Sequence, residues 1–184
     1  VAAIAHDGAA VSPAGTTATS LTVNPVADQP VVTAAASTID EDGTSTLTLA
    51  LSNAADLFEN GDDSVALTVT LSDGATLHGA GVTAQGGGVF TLTATSVADL
   101  AGLTITPANE FEGSVSVDVS AVAHDGAASS APGSDSTTLT VNPVADQPDV
   151  SVSVVATDED QTSALTITLN NAADLFENGD DSVT

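Results

Sequence analysis

Apolar and polar residues alternate in several short stretches of this chain. Every second residue is Leu or Val in four of them: 47–51, 65–72, 115–120 and 150–154. Successive side chains of a β-strand point to opposite faces, so each stretch predicts a strand with one buried face. Weaker forms of the pattern predict four further strands, over 31–36, 89–94, 103–106 and 137–141.

Turn-forming residues separate these stretches. Asp40 to Gly43, Asp73-Gly74 and Gly86 to Gly88 each predict a tight turn. Residues 53–61 predict one helical turn that is capped by Asn53 and stops at Gly61, and residues 96–102 predict another. About seven short strands with regularly spaced turns indicate an all-β fold, namely an antiparallel β-sandwich of immunoglobulin-like (cadherin-like) type.

The chain repeats itself. Val141 to Pro148 has the same eight residues as Val23 to Pro30, 118 positions earlier. At this spacing residues 1–66 and 119–184 align without an insertion and are identical at 43 of 66 positions, which indicates tandem repeats with a 118-residue period. We therefore expect the C-terminal part of one repeat in residues 1–26, a complete repeat in 27–144 and the N-terminal part of the next in 145–184. The octapeptide Val23–Pro30 is named the first joint below, and Val141–Pro148 the second joint.

The charge balance is strongly acidic. The 184 residues include 25 Asp and Glu, three His and no Lys or Arg, which gives a formal charge of −25. Such a chain repels phosphate backbones, so we do not expect it to bind nucleic acid. No apolar run reaches the roughly 18 residues that a membrane span needs, and we expect no direct membrane insertion. Something other than Lys or Arg must neutralise the acids where they cluster.

The predicted strand order places several acids at the joints. The first strand of a repeat leads away from the joint that enters it, so the turn Asp40-Glu41-Asp42 lies at the far end, beside the exit of the last strand and Asp146. The repeat places Asp158-Glu159-Asp160 and Asp28 in the corresponding positions. The loop between the second and third strands lies at the opposite end, as does the last hairpin with Asp125. The acids of that loop are Asp56, Glu59, Asp62 and Asp63, and their copies in the next repeat include Asp180 and Asp181.

Convergent carboxylates suit Ca²⁺, which takes six to eight oxygen ligands in irregular geometry, whereas Mg²⁺ needs a stricter octahedron. We therefore expect Ca²⁺ as the cofactor, bound as a clamp between repeats. The expected ligands are Asp28, Asp40, Glu41, Asp42, Asp62, Asp63, Asp125, Asp146, Asp158, Glu159, Asp160, Asp180 and Asp181. The first joint is expected to be the poorer site, because the acidic turn of the preceding repeat lies before residue 1.

Simpler interpretations exist for some of these residues. Asp-Gly and Asn-Gly pairs are common turn formers, and an Asp between two prolines can simply keep a connector soluble. His6 and His124 each precede an Asp, but neighbouring residues of a strand face opposite sides and are badly placed for a catalytic triad. We therefore do not expect an enzyme.

Four motifs together resemble a known family. They are the joint sequence Val23–Pro30, the turn Asp40–Gly43, the run Leu100–Pro107 and the tripeptide Phe111-Glu112-Gly113. They are similar to the tandem immunoglobulin-like or cadherin-like extender repeats of giant type I-secreted RTX adhesins of Gram-negative bacteria. The resemblance covers the whole 118-residue unit and both partial repeats.

The resemblance implies an extracellular protein of the bacterial cell surface, in which the repeats act as a structural spacer and Ca²⁺ at the joints stiffens the string. Its partners are the neighbouring repeats of the same chain, and the distal ligand of the adhesin lies outside this segment. The linker Asp of the family maps onto Asp28 and Asp146, and its acidic turn onto residues 40–42 and 158–160. Two alternatives stay open: a module that binds a glycan or surface through Thr-rich strands or loops, and lateral self-association into an extracellular filament.

Overall fold

The structure is a computed structural model that describes residues 1–176 and 182–184. Its helices are the short α-helices α1 (Ala54–Leu57) and α2 (Ala172–Leu175) and the 3₁₀ helix Val97–Leu100. Its strands are β1 Ala2–Ala3, β2 His6–Asp7, β3 Ala10–Val11, β4 Gly15–Thr16, β5 Val32–Ala36, β6 Ile39–Asp40, β7 Ser45–Leu51, β8 Asp63–Leu71, β9 Thr76–His78, β10 Thr83–Gly86, β11 Val89–Ala94, β12 Thr104–Thr106, β13 Gly113–Asp125, β14 Ala128–Ser129, β15 Gly133–Asn142, β16 Val150–Val154 and β17 Leu165–Leu169.

The predicted alternation sets the buried face of the strands. In β7 and β8 every second residue is buried, starting from Ser45 and Asp63, and the residues between them are half-buried or exposed. The strands predicted over 31–36, 89–94 and 103–106 are present within one or two residues, whereas β15, predicted over 137–141, and β13, predicted over 115–120, are several residues longer. The prediction of a nearly all-β chain is confirmed.

Two sheets enclose one hydrophobic core. A seven-stranded sheet has the order β10-β11-β8-β13-β15-β6, with β14 paired to β13, and a four-stranded sheet has the order β5-β7-β12-β9. The buried residues of this core all lie between Val32 and Val141, and Leu103, Ile105 and Leu139 are completely buried in it. The arrangement is consistent with a β-sandwich. The division of the chain into three repeat segments stays a prediction.

One pair departs from the predicted antiparallel arrangement. Strand β6 runs parallel to β15, with Ile39 opposite Val141 and Asp40 opposite Asn142. The chain leaves the four-stranded sheet after β5 and continues in the same direction along the edge of the seven-stranded sheet, so the new pair is parallel. The Ser45 side chain satisfies the backbone at this crossing: its Oγ accepts from Ser37 N at 3.0 Å and donates to Ser37 O at 2.7 Å.

Replacing Ser45 by alanine is expected to lower the free energy of unfolding by about 1 kcal/mol, because both backbone groups of Ser37 lose their partner. Chemical denaturation followed by circular dichroism measures the change. Ser163 is the matched control, since its Oγ donates to Val155 O at the equivalent place in an exposed hairpin. A Ser163→Ala variant should unfold like the wild type, and equal losses in both variants would contradict the role given to the crossing.

The helical turn after β7 is shorter than predicted. Helix α1 ends at Leu57 rather than at Gly61, with Leu57 buried and Phe58 partly buried against the core. Asn53 occupies the N-cap position, but its side chain makes no capping hydrogen bond. Its two polar atoms bind the backbone of the first joint and the residue after it, which the sequence did not predict.

The second predicted helical turn is the 3₁₀ helix Val97–Leu100. Asp99 folds back over its start, and Oδ2 accepts hydrogen bonds from Thr95 N at 2.8 Å and Ser96 N at 3.0 Å. These bonds, of which the one from the Thr95 backbone has the largest effect, hold the pKa of Asp99 below its usual range. The helix therefore starts on an ionised carboxylate at neutral pH.

The strands near the two chain ends form isolated hairpins. Strands β1 and β4, β2 and β3, and β16 and β17 pair antiparallel, each pair in a sheet of two strands. Pairs such as Val150 and Leu169 repeat those of β5 and β7 118 residues earlier, where Val32 faces Leu51. Yet Ile167 is 63% exposed and Leu49, at the equivalent place, is 6% exposed. The local pairing thus forms from local sequence, whereas burial requires the opposing sheet.

No helix among the described residues is both long enough and apolar enough to span a lipid bilayer.

Candidate metal centre

Three aspartates meet at the end of the sandwich where the first joint enters. Strand β8 begins at Asp63 and β13 ends at Asp125, and these two residues stand directly opposite each other in the antiparallel pair. With Asp62 they place one carboxylate oxygen each within 4.8 Å of one another, and no other such group of three is found in the described part of the chain. Like charges directly opposite on neighbouring strands are destabilising, so the arrangement favours a bound cation.

Asp63 is the buried member of the group. It is 7% exposed, and its Oδ2 accepts a hydrogen bond from Asn60 N at 2.6 Å. Its Oδ1 is buried and has no hydrogen-bond partner. A buried carboxylate oxygen without a partner is costly unless a cation or a donor satisfies it. Asp63 therefore has one buried ligand atom without a partner, in a carboxylate that belongs to the acidic group.

A glycine lets the last hairpin lie close to this group. Gly126 has a φ of +54°, and a Cβ at that position would lie 3.2 Å from Asp62 Oδ2 and 3.9 Å from Pro25 Cγ. Both the backbone angle and the space favour glycine here. The Asp-Gly pair at 125–126 is thus a turn former, as the simpler interpretation held, and its Asp also belongs to the acidic group.

The first joint covers a small cleft beside the aspartates. The cleft has a volume of about 20 Å³, enough for one water molecule or one ion. Its walls are formed by Val26, Ala27, Asp28, Asp56, Leu57, Glu59, Asp63, Ala123, His124 and Asp125. Five of these residues carry carboxylates, and the sequence supplies no Lys or Arg to balance them.

Hydrogen bonds fix the first joint over this cleft. Val26 N donates to Asp125 Oδ2 at 3.2 Å, so one of the three aspartates already holds the joint. Gln29 Nε2 donates to Pro132 O at 2.8 Å. Pro30 is completely buried against β15 at Gly133. The joint is therefore attached to the two-sheet body, whose core lies between Val32 and Val141, through side chains and backbone that do not require a metal.

The second joint leaves the opposite end of the sandwich beside the acidic turn. Asn142 Nδ2 donates to Asp40 Oδ1 at 3.1 Å, Glu41 N donates to Asn142 O at 2.9 Å, and Val144 N donates to a Glu41 carboxylate oxygen. The predicted position of this turn, next to the exit of the last strand, is confirmed. The carboxylates of Asp40 and Glu41 accept hydrogen bonds from the departing chain.

The structure places the expected ligands in different surroundings. Asp62, Asp63 and Asp125 come together, and Asp28 lines a cleft with Asp63 and Asp125. Asp40 and Glu41 contact the second joint, but among the described residues the acidic turn and Asp146 form no group of three oxygens within 4.8 Å. Asp42 and Asp160 adopt left-handed backbone angles in their turns, with φ of 60° and 62°. Residues Asp158, Glu159 and Asp160 are exposed, and Asp180 and Asp181 lie outside the described residues.

The acidic group of the structure lies at the first joint, which the sequence ranked as the poorer site. The ranking itself stays a prediction, because Asp180 and Asp181 are the counterparts of Asp62 and Asp63 at the second joint. The sequence did not predict that Asn53 contacts the joint, because an N-cap role already accounted for an asparagine at the start of the helical turn. Asp56 and Glu59 were placed at the correct end of the sandwich but not among the ligands. The concentration of acids in this loop was the sequence feature that could have identified them.

The catalytic residues considered from sequence form a different contact. His124 Nδ1 and Ser129 Oγ lie 2.9 Å apart across the last hairpin, while the neighbouring Asp125 binds Val26 N. The side chains of His124 and Asp125 thus make hydrogen bonds to different partners. Comparison with models of protein families, with curated proteins and with solved structures finds no match for this chain.

Proposed function

We propose that this chain is part of the structural extender of a large bacterial surface adhesin, in which immunoglobulin-like or cadherin-like repeats follow one another and Ca²⁺ at the joints stiffens the array. The observation that carries the proposal is the free Oδ1 of buried Asp63 beside Asp62 and Asp125, at the point where the first joint enters. A spacer needs defined angles between its units, and this is the place where an ion can fix one.

The ligand set supports a hard divalent cation. Two oxygens bound to one Ca²⁺ at roughly 2.3–2.6 Å lie at most about 5 Å apart. The oxygens of Asp62, Asp63 and Asp125 fall within 4.8 Å of one another and meet that limit. Asp28, Asp56 and Glu59 line the same cleft and can complete the shell directly or through water. Thiolate ligands, which would favour softer metals, do not exist in this sequence.

A comparison of the two joints supports a cation shared between neighbouring repeats. Val26 and Val144 occupy the same position of the repeated octapeptide. The N–H of Val26 is held by Asp125 of the following body, whereas the N–H of Val144 is held by Glu41 of the preceding body. In a joint flanked by complete repeats both carboxylates would approach one N–H. A cation between them relieves the repulsion and ties the two repeats to each other.

Different residues would then attach the joint and hold the cation. Asn53, Gln29 and Pro30 attach the joint to the body that it enters, whether or not metal is present. The carboxylates hold the cation, which neutralises their charge. Because the ion binds only the ordered joint, it favours that geometry by mass action. Without it the acids repel one another and the angle between repeats varies.

Small-angle X-ray scattering of a chain carrying several copies of residues 27–144 in tandem tests the proposal. In excess Ca²⁺ we expect a larger maximum dimension than in EDTA, because stiff joints keep the repeats extended. The control is the same chain with Asp63→Asn in every copy, which should scatter alike in both buffers. If the wild-type dimension is the same with and without Ca²⁺, joint stiffening by the ion is refuted.

A further inference from the structure

The geometry points to Asn53 as a positioning residue for the cation site: it touches no proposed ligand, but holds the first joint in place as one wall of the cleft. The inference rests on the proposed function, since it concerns the affinity of that same site. Asn53 follows β7 and immediately precedes helix α1.

Both polar atoms of the Asn53 side chain bind the chain that enters the body. Nδ2 donates to Gln29 O at 3.0 Å, and Oδ1 accepts from Val31 N at 2.9 Å. One planar amide therefore spans Pro30 and fixes the backbone on either side of it. An amide suits this role because it offers a donor and an acceptor on one planar group.

Fixing this segment acts on the cation cleft. Val26, Ala27 and Asp28 form one wall of the cleft and lie just before the residues that Asn53 holds. Asp63 and Asp125 also line the cleft, and both are anchored in strands, in β8 and β13. If Asn53 releases the joint, the wall with Asp28 moves away from two fixed carboxylates. Cation binding must then bear the cost of ordering the joint as well.

The same amide clamp occurs a second time in the chain. Asn171 Nδ2 donates to Gln147 O at 3.0 Å, and Asn171 Oδ1 accepts from Asp149 N at 2.8 Å. The local interaction is thus equivalent at both joints. Within the described residues, however, the group of Asp62, Asp63 and Asp125 is found at the first joint, which Asn53 holds. Asn171 is therefore a matched control that loses the same clamp away from the group of Asp62, Asp63 and Asp125.

Isothermal titration of the full 184-residue chain with Ca²⁺ tests the inference. The variants are Asn53→Ala, Asn53→Ser, Asn171→Ala and Asp63→Asn, each shown by far-UV circular dichroism to be folded at the titration temperature. Serine keeps the ability to cap α1 but is too short to span Gln29 O and Val31 N, so it separates a capping role from a positioning role. The melting temperature of each variant in EDTA reports the purely structural effect.

We expect Asp63→Asn to abolish one binding event, both Asn53 variants to weaken that event about tenfold, and Asn171→Ala to leave it unchanged. If the Asn53 variants bind Ca²⁺ like the wild type while Asp63→Asn does not, the positioning role is overturned and the proposed function stands. If Asn171→Ala weakens the event as much as Asn53→Ala, the effect is general and the positioning role is also overturned. If the wild type and Asp63→Asn bind alike, the site itself is wrong.

Discussion

Replacing Gly133 by alanine will displace the first joint from the body that it enters and lower the free energy of unfolding by about 3 kcal/mol. A Cβ at this position would lie 1.9 Å from Pro30 O and 2.9 Å from Pro30 C, far inside van der Waals contact. Both contacts are with backbone atoms of Pro30, so no flexible side chain can move aside to relieve them. Pro30 is completely buried, and its displacement also breaks the hydrogen bond from Gln29 to Pro132 O.

Gly15 is the matched control for this substitution. It occupies the same place in the N-terminal hairpin, opposite Ala3, but the nearest atom to its Cβ position is Ala3 O at 3.9 Å. A Gly15→Ala variant should therefore unfold like the wild type in urea. The amide of Val31 donates to Asn53 Oδ1, and the amide of Ser52 donates to Val31 O. Hydrogen exchange of both amides should accelerate in Gly133→Ala but not in Gly15→Ala. A Gly133→Ala variant within 0.5 kcal/mol of the wild type, about the usual scatter of neutral surface changes, would contradict the docking of the joint.

Replacing Asp63 by asparagine will have opposite effects with and without Ca²⁺. In EDTA the wild type holds a buried carboxylate with an unpartnered oxygen beside two other aspartates. An asparagine removes that charge and turns an amide donor toward them, so the variant should be at least as stable as the wild type. At a Ca²⁺ concentration 100 times the dissociation constant, the wild type gains about 2.7 kcal/mol from binding and the variant gains almost none.

Thermal unfolding in EDTA and in Ca²⁺, followed by circular dichroism, measures both arms of this prediction. Asp7→Asn is the control. Asp7 is the exposed counterpart of Asp125 in the N-terminal hairpin, and its substitution removes one carboxylate charge away from the site. Its stability should increase with Ca²⁺ as much as that of the wild type. Loss of the increase in Asp7→Asn, or its retention in Asp63→Asn, would show that Ca²⁺ acts elsewhere.

The strands were predictable because each carries its own signal. Alternating Leu and Val with Thr and Ser fixes which face of β7 or β8 is buried, whatever the partner strand is. The turns at Asp40–Gly43 and Gly86–Gly88 were equally local, since their residues tolerate the required backbone angles. Some predictions of which end of the body a loop occupies depended only on the first few strands. The placement of Glu41 beside the second joint is one of these, and it is confirmed.

The remaining errors come from contacts between distant parts of the chain. Asn53 fits an N-cap by its local sequence, but the backbone of the joint offers its amide both a donor and an acceptor 22 to 24 residues away. The parallel pair of β6 and β15 joins residues about 100 apart, and no alternation in either strand encodes its direction. Nor does the sequence distinguish Gly133 from Gly15, although only Gly133 has Pro30 against it.

The sequence by itself determined the all-β class, the strand faces and the 118-residue spacing that makes the two joints identical. It also determined that acids concentrate near those joints with no basic residue to pair with. Only the tertiary structure decided which acids share one site, namely Asp62, Asp63 and Asp125 at the entry of the first joint. The physical reason is that ligand geometry depends on distances of a few ångströms between strands β8 and β13, which are set by sheet register rather than by any local pattern.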